Sequence, residues 1–341
     1  MSKPIIIGDQ ARAWLTSLPF KPSDILVLTD EHTSELCYPL LKGYLPEHHL
    51  HSIPAGEKFK NLRTCEHLWS ICTLRRMDRK GLIINLGGGV LGDMGGFVAA
   101  TYKRGISFIQ VPTTLLAMVD ASVGGKLGVD FNGFKNHIGF FQEPEAVLIW
   151  PDFLKTLPEK ELRSGYAEVL KHCLIADADA WEAHVQKPDW KDQDWEEVVR
   201  HSVAIKSAIV EKDMREQGAR MALNFGHTIG HAIETWHLLK GRPILHGEAV
   251  GLGMIAESWI SLQRGLISEA YFTQIKSFLK SIYNDVEVNL EDVDGLWNLA
   301  LQDKKNLAGS VRCTLLNGKG GFSIKQEIDK ESFAKAILEL S

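Results

Sequence analysis

At 341 residues, the chain is long enough for two domains with cores of their own. Hydrophobic residues make up 45% and charged residues 24%, the balance of an ordinary soluble globular protein. The 43 acids outnumber 38 bases and leave a net charge of −5, which excludes a general nucleic-acid or membrane-binding surface and confines any basic site to a local cluster suited to a small anion.

The N-terminal run Met-Ser-Lys-Pro-Ile-Ile-Ile-Gly has neither a long apolar stretch nor a cleavage pattern, so no signal peptide is expected. Strands are predicted at Asp24–Thr29, more weakly at His49–Pro54, then at Gly81–Asn85, Ser107–Val111 and Ala146–Trp150. Between them, Leu62, Leu68, Ile71 and Leu74 give Asn61–Met77 helical spacing. Continuous apolar strands alternating with helices indicate a parallel sheet covered on both faces. The most apolar region, Leu82–Val123, is broken by Asp93, Lys103, Arg104 and many glycines, so it is not a membrane span. After Pro151 the pattern turns helical, with predicted helices at Pro158–Ala176, Glu196–Glu216, Arg220–Trp236, Gly247–Leu262, Ser268–Ser281 and Glu331–Leu340. Trp181–Glu197 reads as a polar surface excursion, and Val311–Leu316 with Gly321–Ile324 as a hairpin. The domain boundary is placed at 150/151. The five cysteines (Cys37, Cys65, Cys72, Cys173, Cys313) show neither metal spacing nor a disulfide framework, so a reducing cytoplasm is the expected setting.

Two segments carry chemistry. Asn85-Leu-Gly-Gly-Gly-Val-Leu-Gly-Asp93 follows a strand and opens a helix, where glycines let the backbone approach a pyrophosphate and free N–H groups favour an anion. It is not the usual G-x-G-x-x-G and follows a middle strand, and the alternative is a plain strand-to-helix turn. Asp30 and Glu31, after an earlier strand, stand where an acidic residue meets an adenosine ribose, or simply in a solvated turn. The second segment is Asn224-Phe-Gly-His-Thr-Ile-Gly-His231, followed by Leu245-His-Gly-Glu248. Helical spacing puts His227 and His231 on one face; His246 follows just past Pro243, and Glu168 lies upstream in Gly165-Tyr-Ala-Glu-Val-Leu-Lys171. Imidazoles with a carboxylate are the ligand set of a catalytic divalent metal, usually zinc. The cations Arg104, Lys126, Lys135, Lys206, Arg220, Lys304 and Lys305 are scattered, and singly each reads as a solvated charge, except Arg220, which leads straight into the histidine segment.

Together these residues resemble the 3-dehydroquinate synthase family, through ordered blocks from about Pro54 to Lys305. The blocks include Gly56-Glu-Lys-Phe-Lys60, Gly87–Asp93, Ala99–Gly105, Gln110–Asp120, Ser122–Lys126, Gly133–Asn136, Phe153–Pro158, the Glu168 and histidine segments, and Asp303-Lys-Lys-Asn306. The resemblance implies a Rossmann-like α/β N-terminal domain (1–150) binding NAD and a mostly α-helical C-terminal domain (151–341) binding metal and substrate, with NAD and metal in the cleft between them. It implies that Glu168, His227 and His246 hold one divalent metal, zinc or cobalt, and that His231 touches substrate instead. Lys126, Lys171, Lys206, Arg220, Asn224, His231 and Glu216 match catalytic positions; Arg104, Asn136 and Lys304 match substrate-binding ones. The implied NAD set is Asp30, Glu57, Lys60, Gly88, Gly89, Val90, Asp93, Thr113, Thr114, Asp120, Lys126, Lys135, Phe153, Thr156, Leu157 and Glu161. Departures fall at Leu127 after Lys126, at Gly139-Phe-Phe-Gln and at His172-Cys173; none removes a charged catalytic position.

The implied reaction turns 3-deoxy-D-arabino-heptulosonate 7-phosphate into 3-dehydroquinate and phosphate, in the shikimate route to aromatic amino acids. It runs through transient oxidation by NAD, phosphate elimination, reduction, ring opening and aldol closure. A cytoplasmic homodimer is also implied. The competing readings are a related sugar-phosphate cyclase, a metal- and NAD-dependent polyol dehydrogenase, and a nucleotide-binding module with a structural metal.

Overall fold

A computed structural model describes residues 3–132, 134–214, 216–302 and 310–340. The chain divides into two compact units, one comprising Met1–Leu162 with Trp195–Val203, the other Arg163–Asp194 with Ala204–Ser341.

The first unit contains β1 (Ile5–Ile7), β2 (Ile25–Asp30), β3 (His49–Ile53), β4 (Leu82–Gly87), β5 (Ser107–Pro112), β6 (Lys126–Phe131), β7 (Phe134–Phe141) and β8 (Ala146–Ile149). Six of these form one parallel sheet in the order β1-β8-β5-β4-β2-β3, and β6 pairs antiparallel with β7. Leu26, Val27 and Leu28 of β2 and Leu82, Ile83 and Ile84 of β4 are buried in succession, as strands covered on both faces must be. The helix Gly89–Thr101 lies so close to the sheet that a Cβ on Gly95 would sit 2.0 Å from Asn85 Oδ1. Its Met94, Phe97 and Val98 join Leu28, Ile83 and Phe108 in the core.

The order of the strands also locates the binding edge. From β2 the chain moves outward to β3, then returns across β2 to β4 and continues the other way to β5. The reversal falls between β2 and β4, and ligands of open α/β sheets bind beyond the carboxyl ends of the strands at such a point. Asp30 ends β2 and Gly87 ends β4, so the acidic turn and the glycine segment flank that crevice.

In the second unit, the helices His227–Leu239 and His246–Gln263 pack through glycines: a Cβ on Gly253 would lie 1.9 Å from Gly226 O, and one on Gly230 2.9 Å from Ala249 O. The start of helix His246–Gln263 meets helix Glu159–Ala176, where a Cβ on Gly247 would lie 1.9 Å from Ser164 O. Helices Ala178–Val185, Glu269–Ile282, Val293–Leu301 and Lys330–Leu338, the part of helix Trp195–Lys212 from Ala204 onward, and the antiparallel pair β9 (Val311–Leu316) and β10 (Phe322–Ile328) also belong to it.

Local expectations are revised in four places. The glycine-rich stretch around Lys126–Phe141, for which no element is predicted, is a hairpin; with Phe140 and Phe141 exposed, its alternation carries no apolar face in the sequence. The supposed helix Arg220–Trp236 is two pieces, a 3-10 turn Ala219–Asn224 and a helix from His227, separated at Gly226 with φ of 79°. The start of the polar excursion at Trp181 belongs to helix Ala178–Val185, with Trp181 fully buried against Phe278 and donating to Gln274 Oε1. Strand β1 and helix Val293–Leu301 carried too short a pattern to be anticipated.

Candidate active site

Helix Gly89–Thr101 begins at Gly88 with no side-chain cap, so its first-turn N–H groups point out of the sheet's carboxyl edge without intrahelical partners. Gly88 and Gly89 leave the approach open: a Cβ there would come within 3.1 Å of Thr114 Cγ2 and 3.2 Å of Ala121 Cβ. Beside them Thr113 is buried, and its Oγ1 has no hydrogen-bond partner among the described residues. A buried hydroxyl left over at an uncapped helix start fits the phosphate end of a dinucleotide. Thr114 Oγ1 instead accepts from Ala117 N at 3.1 Å, and Asp30 Oδ1 accepts from Thr33 N at 2.8 Å as a helix cap.

Lys60 links two others of the singled-out residues. Its ammonium donates to Asp93 Oδ2 and to Asn136 Oδ1, both at 2.7 Å. Burial disfavours the Lys60 charge, but Asp93 and Glu57 outweigh it and raise its pKa; burial raises the Asp93 carboxyl against the pull of Lys60. Arg104, Asn136 and Glu216 have φ of 71°, 51° and 58°. Asparagine tolerates this region; arginine and glutamate do so at a cost, and such outliers gather at functional sites. Lys126 opens β6 and Lys135 lies in β7, both exposed. Phe153 is fully buried, its ring 5.2 Å from that of Trp150; Thr156 Oγ1 donates to Phe153 O, Leu157 N donates to Leu154 O, and Glu161 lies in the first turn of the next helix.

In the second unit Glu168 is the focus. Its side chain has no exposure; Oε2 accepts from Lys171 Nζ, while buried Oε1 has no hydrogen-bond partner among the described residues. Facing Oε1 are His227 Nε2 at 3.4 Å and His246 Nε2 at 3.8 Å. The other ring nitrogens are engaged: His227 Nδ1 lies 3.1 Å from Phe225 O and His246 Nδ1 3.1 Å from Glu234 Oε2. An Nδ1–H donated to each oxygen leaves both Nε2 lone pairs turned toward Glu168, the arrangement that metal-binding histidines adopt. His231 completes the cluster, with ligand atoms of His227, His231 and His246 all within 4.8 Å of one another. An orphaned buried carboxylate oxygen among three imidazoles fits a divalent cation with N and O ligands.

Three cations of the second unit are also buried. Lys171 is 1%, Lys206 4% and Arg220 2% exposed. Arg220 Nη1 donates to Met214 O at 2.8 Å, and Asn224 Nδ2 to Glu216 Oε1 at 2.7 Å. One carboxylate organises that loop: Asp213 Oδ2 accepts from Gly218 N at 2.7 Å and Arg220 N at 3.1 Å, and Oδ1 from Gln217 N at 3.0 Å. Lys304 lies outside the described residues.

Sequence reasoning missed the supporting acids. Glu234, Asp213 and Glu257 carried no signal, being single acids within helical or polar stretches. Glu248 stood in view as Leu245-His-Gly-Glu248: its Oε2 accepts from Leu245 N at 2.8 Å, and its Oε1 pairs with Arg163 Nη2 at 2.5 Å. The cysteines take no part; all five are free and buried, and burial pushes the Cys65 and Cys173 thiols up to about 12.

The geometry can be set beside known proteins. A synthase of Parabacteroides distasonis named 3-dehydroquinate synthase is 40% identical over 97% of this chain and 94% of its own. The structure is similar to 2-epi-5-epi-valiolone synthase from Streptomyces hygroscopicus subsp. jinggangensis 5008 with NAD+ and Zn2+ bound, at TM-score 0.86, 27% identity, and coverage of 100% of this chain and 97% of that one. It shares its fold with a 2-deoxy-scyllo-inosose synthase complexed with carbaglucose-6-phosphate, NAD+ and Co2+, at TM-score 0.84, 24% identity, and coverage of 98% and 96%. The family descriptions 3-dehydroquinate synthase N-terminal and C-terminal match residues 50–164 and 165–306. With both descriptions met and a relative 40% identical along nearly all of its length, the chain belongs to the 3-dehydroquinate synthase family.

Proposed function

We propose that this chain converts 3-deoxy-D-arabino-heptulosonate 7-phosphate to 3-dehydroquinate and phosphate. The observation that carries the reading is the unpartnered Glu168 Oε1 faced by His227 and His246 Nε2, in a chain 40% identical to a 3-dehydroquinate synthase. Residues 1–150 are assigned to NAD binding and 151–341 to metal and substrate.

When bound, NAD supplies a reversible hydride acceptor, and zinc or cobalt a Lewis acid for substrate oxygens. Glu168, His227 and His246 hold the metal, and His231 is left to contact a substrate hydroxyl. The Gly88–Val90 backbone and Thr113 receive the cofactor pyrophosphate, with Lys60 and Asp93 beside it. Lys171 sets its ammonium against one face of Glu168, which offsets part of the cost of burying that carboxylate. Arg220, Lys206, Lys126, Arg104 and Lys304 are assigned to the carboxylate and phosphate of the substrate, and Asn136 and Asn224 to its hydroxyls. Their contribution is positioning and charge stabilisation. Glu216, bonded to Asn224, orients that amide.

The likeness to the valiolone and inosose synthases favours a second reading, a related sugar-phosphate cyclase. The deciding experiment is phosphate release by purified protein with NAD and Co2+. Release from the heptulosonate phosphate, without net NADH, supports the first reading. Release only from other sugar phosphates moves the chain to the second, and NADH accumulating one-for-one with product moves it to a dehydrogenase. A cytoplasmic homodimer is part of the proposal; among the described residues no helix is long and apolar enough to cross a membrane. Sedimentation as a monomer at micromolar concentration would remove the dimer.

A further inference from the structure

The helix that begins with His227 has no cap of its own. Its N-cap is Gly226, at φ of 79° and with no side-chain hydrogen bond, although a helix start leaves its first N–H groups needing acceptors. A local capping side chain is excluded: a Cβ on Gly226 would lie 2.5 Å from Met254 Cγ and 2.9 Å from Val250 O. The acceptor comes from the neighbouring helix. Glu257, with 0% exposure, takes Gly226 N on Oε2 at 2.7 Å and Ile229 N on Oε1 at 3.2 Å. Burying a carboxylate is costly, and two backbone donors at the positive end of a helix help to offset it here.

The geometry makes this more than a cap. Glu257 belongs to the helix His246–Gln263, whose first residue is His246, and the helix it caps has His227 as its first residue. Holding the start of one helix against the body of the other fixes the His227 ring relative to the His246 ring; their centroids are 5.3 Å apart. Both Nε2 atoms then converge on Glu168 Oε1. We propose that Glu257 is a positioning residue of the metal centre, setting the spacing of its two histidine ligands through the helix start at Gly226 and Ile229. This rests on the metal reading given above.

The test uses full-length protein, Co2+ as the probe, chelator competition for affinity and visible absorption for ligand geometry. In Glu257→Gln the amide keeps one acceptor and sets an NH2 against the other backbone donor. Co2+ affinity should fall about tenfold or more, as when other outer partners of metal ligands are lost, and the Co2+ absorption band should change. Leu279→Ala, a core change in helix Glu269–Ile282, should lower the melting temperature while keeping the parent affinity and band. Glu257→Asp, with its charge kept but its reach shortened, should fall between Glu257→Gln and the parent. Parent-like affinity and spectrum in Glu257→Gln overturn the proposal, as does equal metal loss in Leu279→Ala. If neither Glu257 variant folds while Leu279→Ala does, Glu257 is a core residue and the proposal falls. If the parent binds no Co2+, or Glu168→Gln binds it as tightly as the parent, the metal reading fails and takes the proposal with it.

Discussion

The two units build their sites from different material. In the first, the backbone presents the groups: uncapped N–H donors at Gly88–Val90, opened by glycines and aimed from the carboxyl edge of a parallel sheet. In the second, side chains present them: one carboxylate and three imidazoles from three helices, with Glu168 held by Lys171, His227 by Phe225 O and His246 by Glu234. A backbone site is specified by what is absent, the Cβ atoms, and it tolerates the loss of any one neighbour. A side-chain site is specified by what is present, and errors in the surrounding layer reach the ligands. The two should therefore respond differently to substitution.

The largest effect is expected at the ligands themselves. His246→Ala or Glu168→Ala should lose bound metal and lower turnover by more than about a hundredfold, beyond the roughly 10–100-fold typical of outer partners. Chelation of the parent should do the same, with Zn2+ or Co2+ restoring activity. NAD binding, measured by fluorescence titration, should stay at the parent value, because the glycine site lies in the other unit. Metal content and activity equal to the parent would remove the ligand assignment.

Next in size is the layer behind the ligands. Arg163 joins helix Glu159–Ala176, which carries Glu168, to Glu248 in the first turn of the His246 helix, and it also donates to Asp285. Arg163→Met leaves the buried Glu248 without its ion-pair partner. Metal affinity should weaken by about tenfold or more by chelator competition, with the fold retained by circular dichroism. Unchanged affinity would mean that the side-chain site is as tolerant as the backbone one.

The backbone site is tested by adding the missing atoms. Gly89→Val places a branched side chain where even a Cβ comes within 3.2 Å of Ala121. Its NAD affinity should fall by roughly tenfold, about 1.4 kcal/mol, while metal affinity is unchanged. Gly95→Ala points the other way, into Asn85, and should cost about 1–3 kcal/mol of stability by overpacking. A Gly95 variant with parent stability would show that the helix can lift from the sheet.

This contrast also explains what was legible in the sequence. Glycines three in a row after an apolar strand announce a backbone site, and the parallel sheet follows from continuous runs such as Ile25–Leu28 and Leu82–Ile84. Histidines and Glu168 announce a metal site because few other roles gather those residue types. The supporting acids are mute, since Glu257, Glu234 and Asp213 read as ordinary helical or surface acids until the fold sets a helix start, an imidazole or a loop against them. The break at Gly226 was hidden for a related reason. The apolar spacing runs on through it, and only tertiary packing against Met254 and Val250 shows that the helix starts at His227.

The smallest expected effect concerns the loop that carries Glu216 and Arg220. Hydrogen bonds from Gln217 N and Gly218 N, then Arg220 N, hold the Asp213 carboxyl below its ordinary value. The folded state therefore prefers the ionised form. The stability this contributes is fully present above the unfolded value of about 3.9 and is lost as pH falls through the lower folded value. Asp213→Asn keeps one acceptor and loses the other, so at pH 7 its melting temperature should be lower than that of the parent. Below the folded value the parent is protonated too, and the gap should narrow to nothing. Because the loop also sets Arg220, turnover at pH 7 should drop by about threefold, well short of a tenfold step, and metal content should not change. Asp213 holds backbone donors, as the cofactor in the first unit is proposed to be held by them, yet it serves the side-chain site. A melting gap that persists unchanged at low pH would mean that the amide's shape, and not the carboxylate's charge, is what the loop requires.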